Sequence, residues 1–120
     1  MAFDFALFIT HPDPEYIVFS KDFINSELAT TGYNSAYMET CTELGNELAQ
    51  QVALGNTAGE LTIHEDPNVV TTERHWISID ACRAWMDIVV RVHTATDCPL
   101  PLEAKVVNLI TLVETVIYPT

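Results

Sequence analysis

Basic residues are scarce in this sequence. Five Lys and Arg stand against 17 Asp and Glu in 120 residues, a formal net charge of −12 at pH 7 with histidine neutral. Binding to the backbone of nucleic acids draws on cations that release counterions from phosphates, so the composition argues against a nucleic-acid backbone binder. The same charge repels anionic membrane surfaces and steers the chain toward cationic partners.

Other features that the sequence lacks exclude further classes of protein. The three Cys residues have no C-x-x-C spacing and cannot build a disulfide framework, so we expect free thiols in a reducing cytoplasm. No hydrophobic run approaches the ~20 residues that a membrane span needs. The apolar start has no basic n-region and carries Asp4, unlike a signal peptide. The hydrophobic content of 48% is too high for disorder and predicts a single globular domain over residues 1–120.

Hydrophobic patterning predicts an α+β fold, in which two antiparallel hairpins form a sheet that about three helices cover on one face. Residues 3–10 alternate like a half-buried strand, and a proline-rich turn separates them from a partner strand at residues 15–20. The second predicted hairpin spans residues 60–77, with its turn at Pro67 and Asn68.

The spacing of apolar residues and the presence of capping residues indicate the helices. An apolar stripe predicts a helix over residues 34–54, which Gly55 is suited to end. Ser78 is expected to cap a helix over residues 79–94. In residues 102–117 a helical stripe is opposed by many β-branched side chains, and we favour a helix with a strand as the alternative.

Charged residues on the second of these helices form a regular series. Arg83, Asp87 and Arg91 are spaced i, i+4 and i+8, and we expect them to form mutually supporting ion pairs. Cys82 falls on the apolar face of the same helix. Although His93 and Cys98 are close in sequence, no orienting group or oxyanion site is visible beside them, so Cys82 is interpreted as a core residue and not a nucleophile.

Candidate metal ligands do not form a convincing set. His11, Asp13 and Glu15 are the most ligand-like cluster, but the intervening prolines hold a loop extended, which favours a structural turn and leaves ion binding open. His64 and His75 share one hairpin. With residue 64 opposite residue 71 they lie roughly 13 Å apart along the strands, too far for one zinc ion.

Sequence motifs for chemistry are also missing: no glycine-rich phosphate loop feeds a helix, and neither G-x-S-x-G nor H-E-x-x-H occurs. We therefore expect no enzyme, and no catalytic, cofactor-binding or metal-ligating residues.

Glu39, Glu43 and Glu47 form an acidic stripe at i, i+4 and i+8 on the first clear helix. Neighbouring glutamates lie about 6 Å apart along the axis, and like charges at that spacing cost a few tenths of a kcal/mol each. A cationic partner would relieve the repulsion. A solvated face is the simpler interpretation, and a partner-binding face for a basic protein is the functional one.

Residues 70–93 run from a strand that ends in Arg-x-Trp, through a serine cap, into a helix that reads Ala-x-x-x-Trp-x-Asp from Ala81. This segment resembles small, uncharacterised proteins of tailed bacteriophages. The resemblance implies a phage-encoded α+β module and names no activity.

Two candidate functions follow. The first is a non-enzymatic phage-type accessory or structural protein that acts through protein–protein contacts as a homo-oligomer, with the apolar segment 106–118 as part of its subunit interface. The alternative is an acidic inhibitor, resembling DNA in charge, that blocks a cationic site on a host nucleic-acid-binding or defence protein.

Both functions place the chain in the host cytoplasm or the virion, with a protein partner and without cofactor, nucleic acid or membrane. A small-molecule binder or enzyme would instead need a pocket between sheet and helices that contains His64, His75 or Tyr37.

Overall fold

The computed structural model describes residues 2–12, 35–65 and 68–119. They contain five strands in one antiparallel sheet, in the order β2-β3-β1-β4-β5, and two helices. In chain order the elements are β1 (Phe5–His11), α1 (Ser35–Ala53), β2 (Thr62–Glu65), β3 (Val70–Trp76), α2 (Ile79–Ala95), β4 (Glu103–Asn108) and β5 (Glu114–Tyr118).

The first four strands and the helices follow one another as βαββαβ. Each helix connects two strands that are not neighbours in the sheet, with a third strand lying between them. This is the split βαβ topology of ferredoxin-like folds, to which β5 adds a fifth strand at the edge beside β4. Folds of this kind support many unrelated functions, so the topology names none by itself.

The core lies between one face of the sheet and the helices. Alternation along the strands places one apolar set on that face, because successive side chains point to opposite sides. The buried side chains of the sheet pack against those of α2, with the Trp76 and Trp85 rings 5.3 Å apart. The cluster consists of Leu7, Ile9, Trp76, Cys82, Trp85, Met86, Val89, Ala104, Val106 and Ile117.

The predicted α+β class is confirmed, but the described residues contain two helices where about three were expected, because the helix favoured for residues 102–117 is not formed. Residues 102–117 form the β4–β5 hairpin, which was the alternative. The β-branched side chains favour the strand, and burial alternates along β4 as pleating requires: Ala104 and Val106 are buried, whereas Lys105 between them is half-buried. Residues 15–20, the expected partner strand of β1, lie outside the described residues.

The two helices and the hairpin of residues 60–77 agree with the predictions from the sequence. Residue 64 lies opposite residue 71, as the turn position predicts. At the end of α1, Gly55 has a φ of 78°, and its N–H donates to the carbonyl of Val52. The N–H of Asn56 donates to the carbonyl of Gln51, which completes a Schellman cap.

Helix α2 is capped at both ends. The Ser78 hydroxyl accepts a hydrogen bond from the N–H of Ala81 at 3.0 Å, as expected for an N-cap. At the other end Asp97 adopts a φ of 55°, and the N–H of Cys98 donates to the carbonyl of His93 at 2.9 Å. The helix therefore ends in a second Schellman cap, with aspartate where glycine is usual.

Candidate functional site

Of the three glutamates in the acidic stripe, two remain uncompensated. The side chains of Glu39 and Glu43 are exposed on α1, and neither forms an ion pair within the described ranges. Glu47 is half-buried and its Oε1 lies 3.3 Å from Nη2 of Arg91 on α2. The base that meets Glu47 comes from the other helix, so spacing within α1 did not indicate it.

The arginines of α2 are arranged differently from the expectation. Arg91 pairs with Glu47 across the helix interface. Within the described residues Asp87 forms no ion pair with either arginine, so the predicted series of i, i+4 pairs is not formed. Arg83 forms no ion pair or hydrogen bond in the same ranges and is exposed. Its guanidinium group is therefore available to a ligand or partner.

His64 and His75 meet at a third residue that the pattern did not single out. Nε2 of His64 lies 2.9 Å from Oε1 of Glu73, and Nε2 of His75 lies 2.6 Å from Oε2. Burial alone would raise the pKa of Glu73, but the hydrogen bonds from His75 and His64 outweigh it and lower the pKa. The cluster lies on the sheet face opposite the helices, so it does not form the pocket that a small-molecule binder would need.

The signal for this cluster was present in the register. Glu73 is two residues from His75 on β3, and it lies diagonally across from His64, whose direct partner is Thr71. The separation of the two histidines along the strands argues against a shared metal ion, but it does not prevent a shared partner. Both side chains hydrogen-bond to the carboxylate of Glu73, which lies between them. Within the described ranges, no group of three His, Cys, Asp or Glu side chains is placed to hold a metal ion.

His11 belongs to the core. Its ring stacks on that of His93 with the centroids 5.7 Å apart, and both side chains are buried. Burial, and secondly the charge of His93, lower the pKa of His11 to about 3. Burial also lowers the pKa of His93, against the hydrogen bond to the Val89 carbonyl. Asp13 and Glu15, the other members of the predicted ligand cluster, lie outside the described residues.

Cys82 is the core residue that the pattern indicated. Its side chain is fully buried, and burial raises the pKa of the thiol to about 12. A protonated thiol without access to solvent is a poor nucleophile.

Four apolar side chains stand in solvent at the turn of the β4–β5 hairpin. The exposed fraction is 41% for Leu109, 74% for Ile110, 72% for Leu112 and 60% for Val113. We call these four residues the apolar tip. No charged residue occurs from Val106 to Val113, so the tip is also electrically neutral on an acidic molecule.

The turn that displays the apolar tip is held by Asn108. Its Oδ1 accepts hydrogen bonds from the N–H groups of Ile110 and Thr111 at 2.9 and 3.2 Å, and its carbonyl accepts one from Leu112 at 2.7 Å. Leu112 has a φ of 61°, a left-handed conformation that costs a side chain with Cβ about 1–2 kcal/mol. Gly, Asn or Asp is usual in such turns. Folding stability alone therefore does not favour leucine at position 112.

A cleft with a volume of about 460 Å³ opens between α2 and β5. Apolar side chains that also contact the core lie at its base, and exposed charged side chains of α2 stand at its rim. We call it the α2–β5 cleft. It is lined by Arg83, Met86, Asp87, Val90, Arg91, Ile117 and Tyr118.

Comparison of the chain with protein-family models, with curated proteins and with solved structures finds no match. The resemblance of residues 70–93 to phage proteins therefore stays a prediction. Neither helix of the described ranges has the length and apolar content needed to cross a membrane.

Proposed function

We propose that this chain is a non-enzymatic protein that acts through protein–protein contacts, as the subunit of a homo-oligomer, in the manner of a phage accessory or structural protein. It would work in the host cytoplasm or the virion. The observation that carries the proposal is the apolar tip: a neutral, solvent-exposed set of aliphatic side chains on a turn in which Leu112 adopts a strained left-handed conformation.

The tip contains enough apolar surface to drive association. Burying an exposed Leu, Ile or Val side chain contributes about 1.5–3 kcal/mol. Ile110 and Leu112 alone would then supply about 3–6 kcal/mol, which changes a dissociation constant by a factor of about 100 or more. Leu109 and Val113 add to this because they flank the same turn.

The charge of the molecule determines how association should depend on salt. Two copies that each carry a net charge of −12 repel one another. A contact through the neutral tip brings the fewest charges together, and salt screens the repulsion between the rest. Self-association should therefore strengthen as salt is added.

Sedimentation velocity over a range of protein concentrations tests the proposal. The wild-type chain should form an oligomer, and the variant Ile110→Asp/Leu112→Asp should remain a monomer with an unchanged circular dichroism spectrum. Leu54→Asp/Leu102→Asp is the matched control: it adds the same charge at two exposed leucines outside the tip, and it should associate like the wild type. A wild-type chain that is monomeric at every concentration contradicts the proposal.

A second candidate is the acidic inhibitor of a cationic host protein, favoured by the exposed carboxylates of Glu39 and Glu43. Binding of this kind weakens with salt, the opposite sign to self-association. Glu39→Lys/Glu43→Lys should abolish capture of a basic nucleic-acid-binding or defence protein while the fold is retained. Capture that is unchanged by this variant argues against the inhibitor.

A further inference from the structure

The apolar tip and the α2–β5 cleft lie at opposite ends of β5. The tip directly precedes Glu114, where the strand begins, and the cleft is lined by Ile117 and Tyr118, where it ends. Five strand residues span roughly 17 Å at about 3.4 Å per residue. Because the hairpin is held in the sheet by its ladder with β4, the tip of one chain cannot occupy its own cleft.

We infer that the α2–β5 cleft receives the apolar tip of a second copy of this chain, so that subunits join head to tail. The inference rests on the proposed function and adds the surface that the tip binds. The base of the cleft is apolar, formed by Met86, Val90 and Ile117. Its volume of about 460 Å³ lies in the range of roughly 300–1,000 Å³ typical of sites that bury a ligand.

The charges at the two surfaces are compatible with this contact. At the rim of the cleft two arginines are balanced by Asp87 and by Glu47, which binds Arg91, so this region is near neutral on an acidic molecule. The uncharged tip can enter without bringing a charge out of water. Glu114 follows the tip directly and pairs with Lys105 of β4 at 3.0 Å; its exposed carboxylate would approach the rim, where Arg83 has no ion pair in the described residues.

The geometry has a consequence for assembly. A contact between two different patches is heterologous, so an open assembly keeps a free tip at one end and a free cleft at the other, and it adds subunits until a ring closes. A contact of tip against tip would be isologous and would stop at a dimer. Subunits that join in one direction therefore form a ring or filament larger than a dimer, whereas two copies that exchange tips reciprocally close a dimer with two tip–cleft contacts; a mixture of tip and cleft variants separates either case from a contact of tip against tip.

A mixing experiment tests the arrangement. Ile110→Asp/Leu112→Asp loses the tip and keeps the cleft, whereas Val90→Glu places a charge in the cleft and keeps the tip. Arg83→Glu is a second cleft variant, at an exposed position that leaves the packing of α2 unchanged. The tip variant and Val90→Glu should each raise the dissociation constant about 100-fold or more and sediment alone as a monomer, whereas Arg83→Glu, at the exposed rim, should raise it by a smaller factor. An equimolar mixture of tip and cleft variants should give a 1:1 heterodimer and nothing larger.

Other outcomes overturn the inference in distinguishable ways. If the wild type assembles and both cleft variants assemble equally well, the tip binds a different surface and only the inference fails. If the wild type stops at a dimer and the mixture stays monomeric, the contact is isologous and the inference again fails while the proposed function stands. If the wild type never associates, the proposed function fails.

Discussion

The loss of folding stability at low pH tests whether His11 and His93 are buried as a neutral pair. Burial lowers the pKa of His11 from 6.5 to about 3 in the folded chain. The unfolded chain therefore binds a proton first as the pH falls, and the fold loses stability from about pH 6.5 down to about pH 3. Above that window His11 is neutral in both states and contributes no pH dependence. The lowered pKa of His93 acts in the same direction.

The magnitude follows from the pKa difference. Each pKa unit corresponds to about 1.4 kcal/mol, so moving from neutral pH to about pH 4.5, two units below the unfolded value, should cost about 3 kcal/mol through His11 alone. That is a large fraction of the stability of a small domain. Urea denaturation at the two pH values measures it as a difference in the free energy of unfolding.

The variant His11→Phe isolates this contribution. It keeps a planar ring beside His93 and removes the titration of residue 11, so the acid-induced loss should be about 3 kcal/mol smaller than in the wild type, whatever the stability at neutral pH. Carboxylates titrate in both proteins and cancel in the comparison. Leu100→Ala is the control, since Leu100 is exposed and carries no titratable group, so this variant should lose as much stability on acidification as the wild type. Equal losses in wild type and His11→Phe would refute the argument.

Three further changes have defined outcomes. Asp97→Gly should raise the free energy of unfolding by about 1 kcal/mol, because glycine adopts the left-handed cap conformation without strain; no gain in urea denaturation contradicts this. Leu112→Gly should stabilise the monomer by a similar amount for the same reason, yet weaken association; a variant that associates more tightly would argue against the role of the tip. Trp85→Ala should cost about 3–5 kcal/mol in a thermal or urea melt, because it empties the centre of the core, and a loss below 1 kcal/mol would place the core elsewhere.

The fold could be predicted where the hydrophobic periodicity and the capping residues indicated the same helix. Ser78 and Gly55 end their helices by the interactions that their side chain and backbone allow. In residues 102–117 the apolar spacing suited a helix, but the residues of that stripe do not share a buried face: Val106 is buried, whereas Leu102 and Leu109 are exposed. The turn between the strands carries leucine where glycine would have indicated it, so the usual signal was missing.

The candidate site depended on contacts between distant elements. The ion pair of Glu47 with Arg91 joins two helices, and the α2–β5 cleft joins a helix to the last strand, so neither appears in local spacing. The cluster around Glu73 differs, because the correctly predicted register already placed it between His64 and His75. The apolar tip could be expected only as a segment rich in hydrophobic residues, since its exposure is a property of the turn.

Sedimentation velocity of the wild type and of Ile110→Asp/Leu112→Asp, at low and at high salt, tests the role of the apolar tip most directly. The wild type should sediment as an oligomer that grows with protein concentration and with salt, and the variant should sediment as a folded monomer under all conditions. Identical sedimentation of the two proteins would contradict the account.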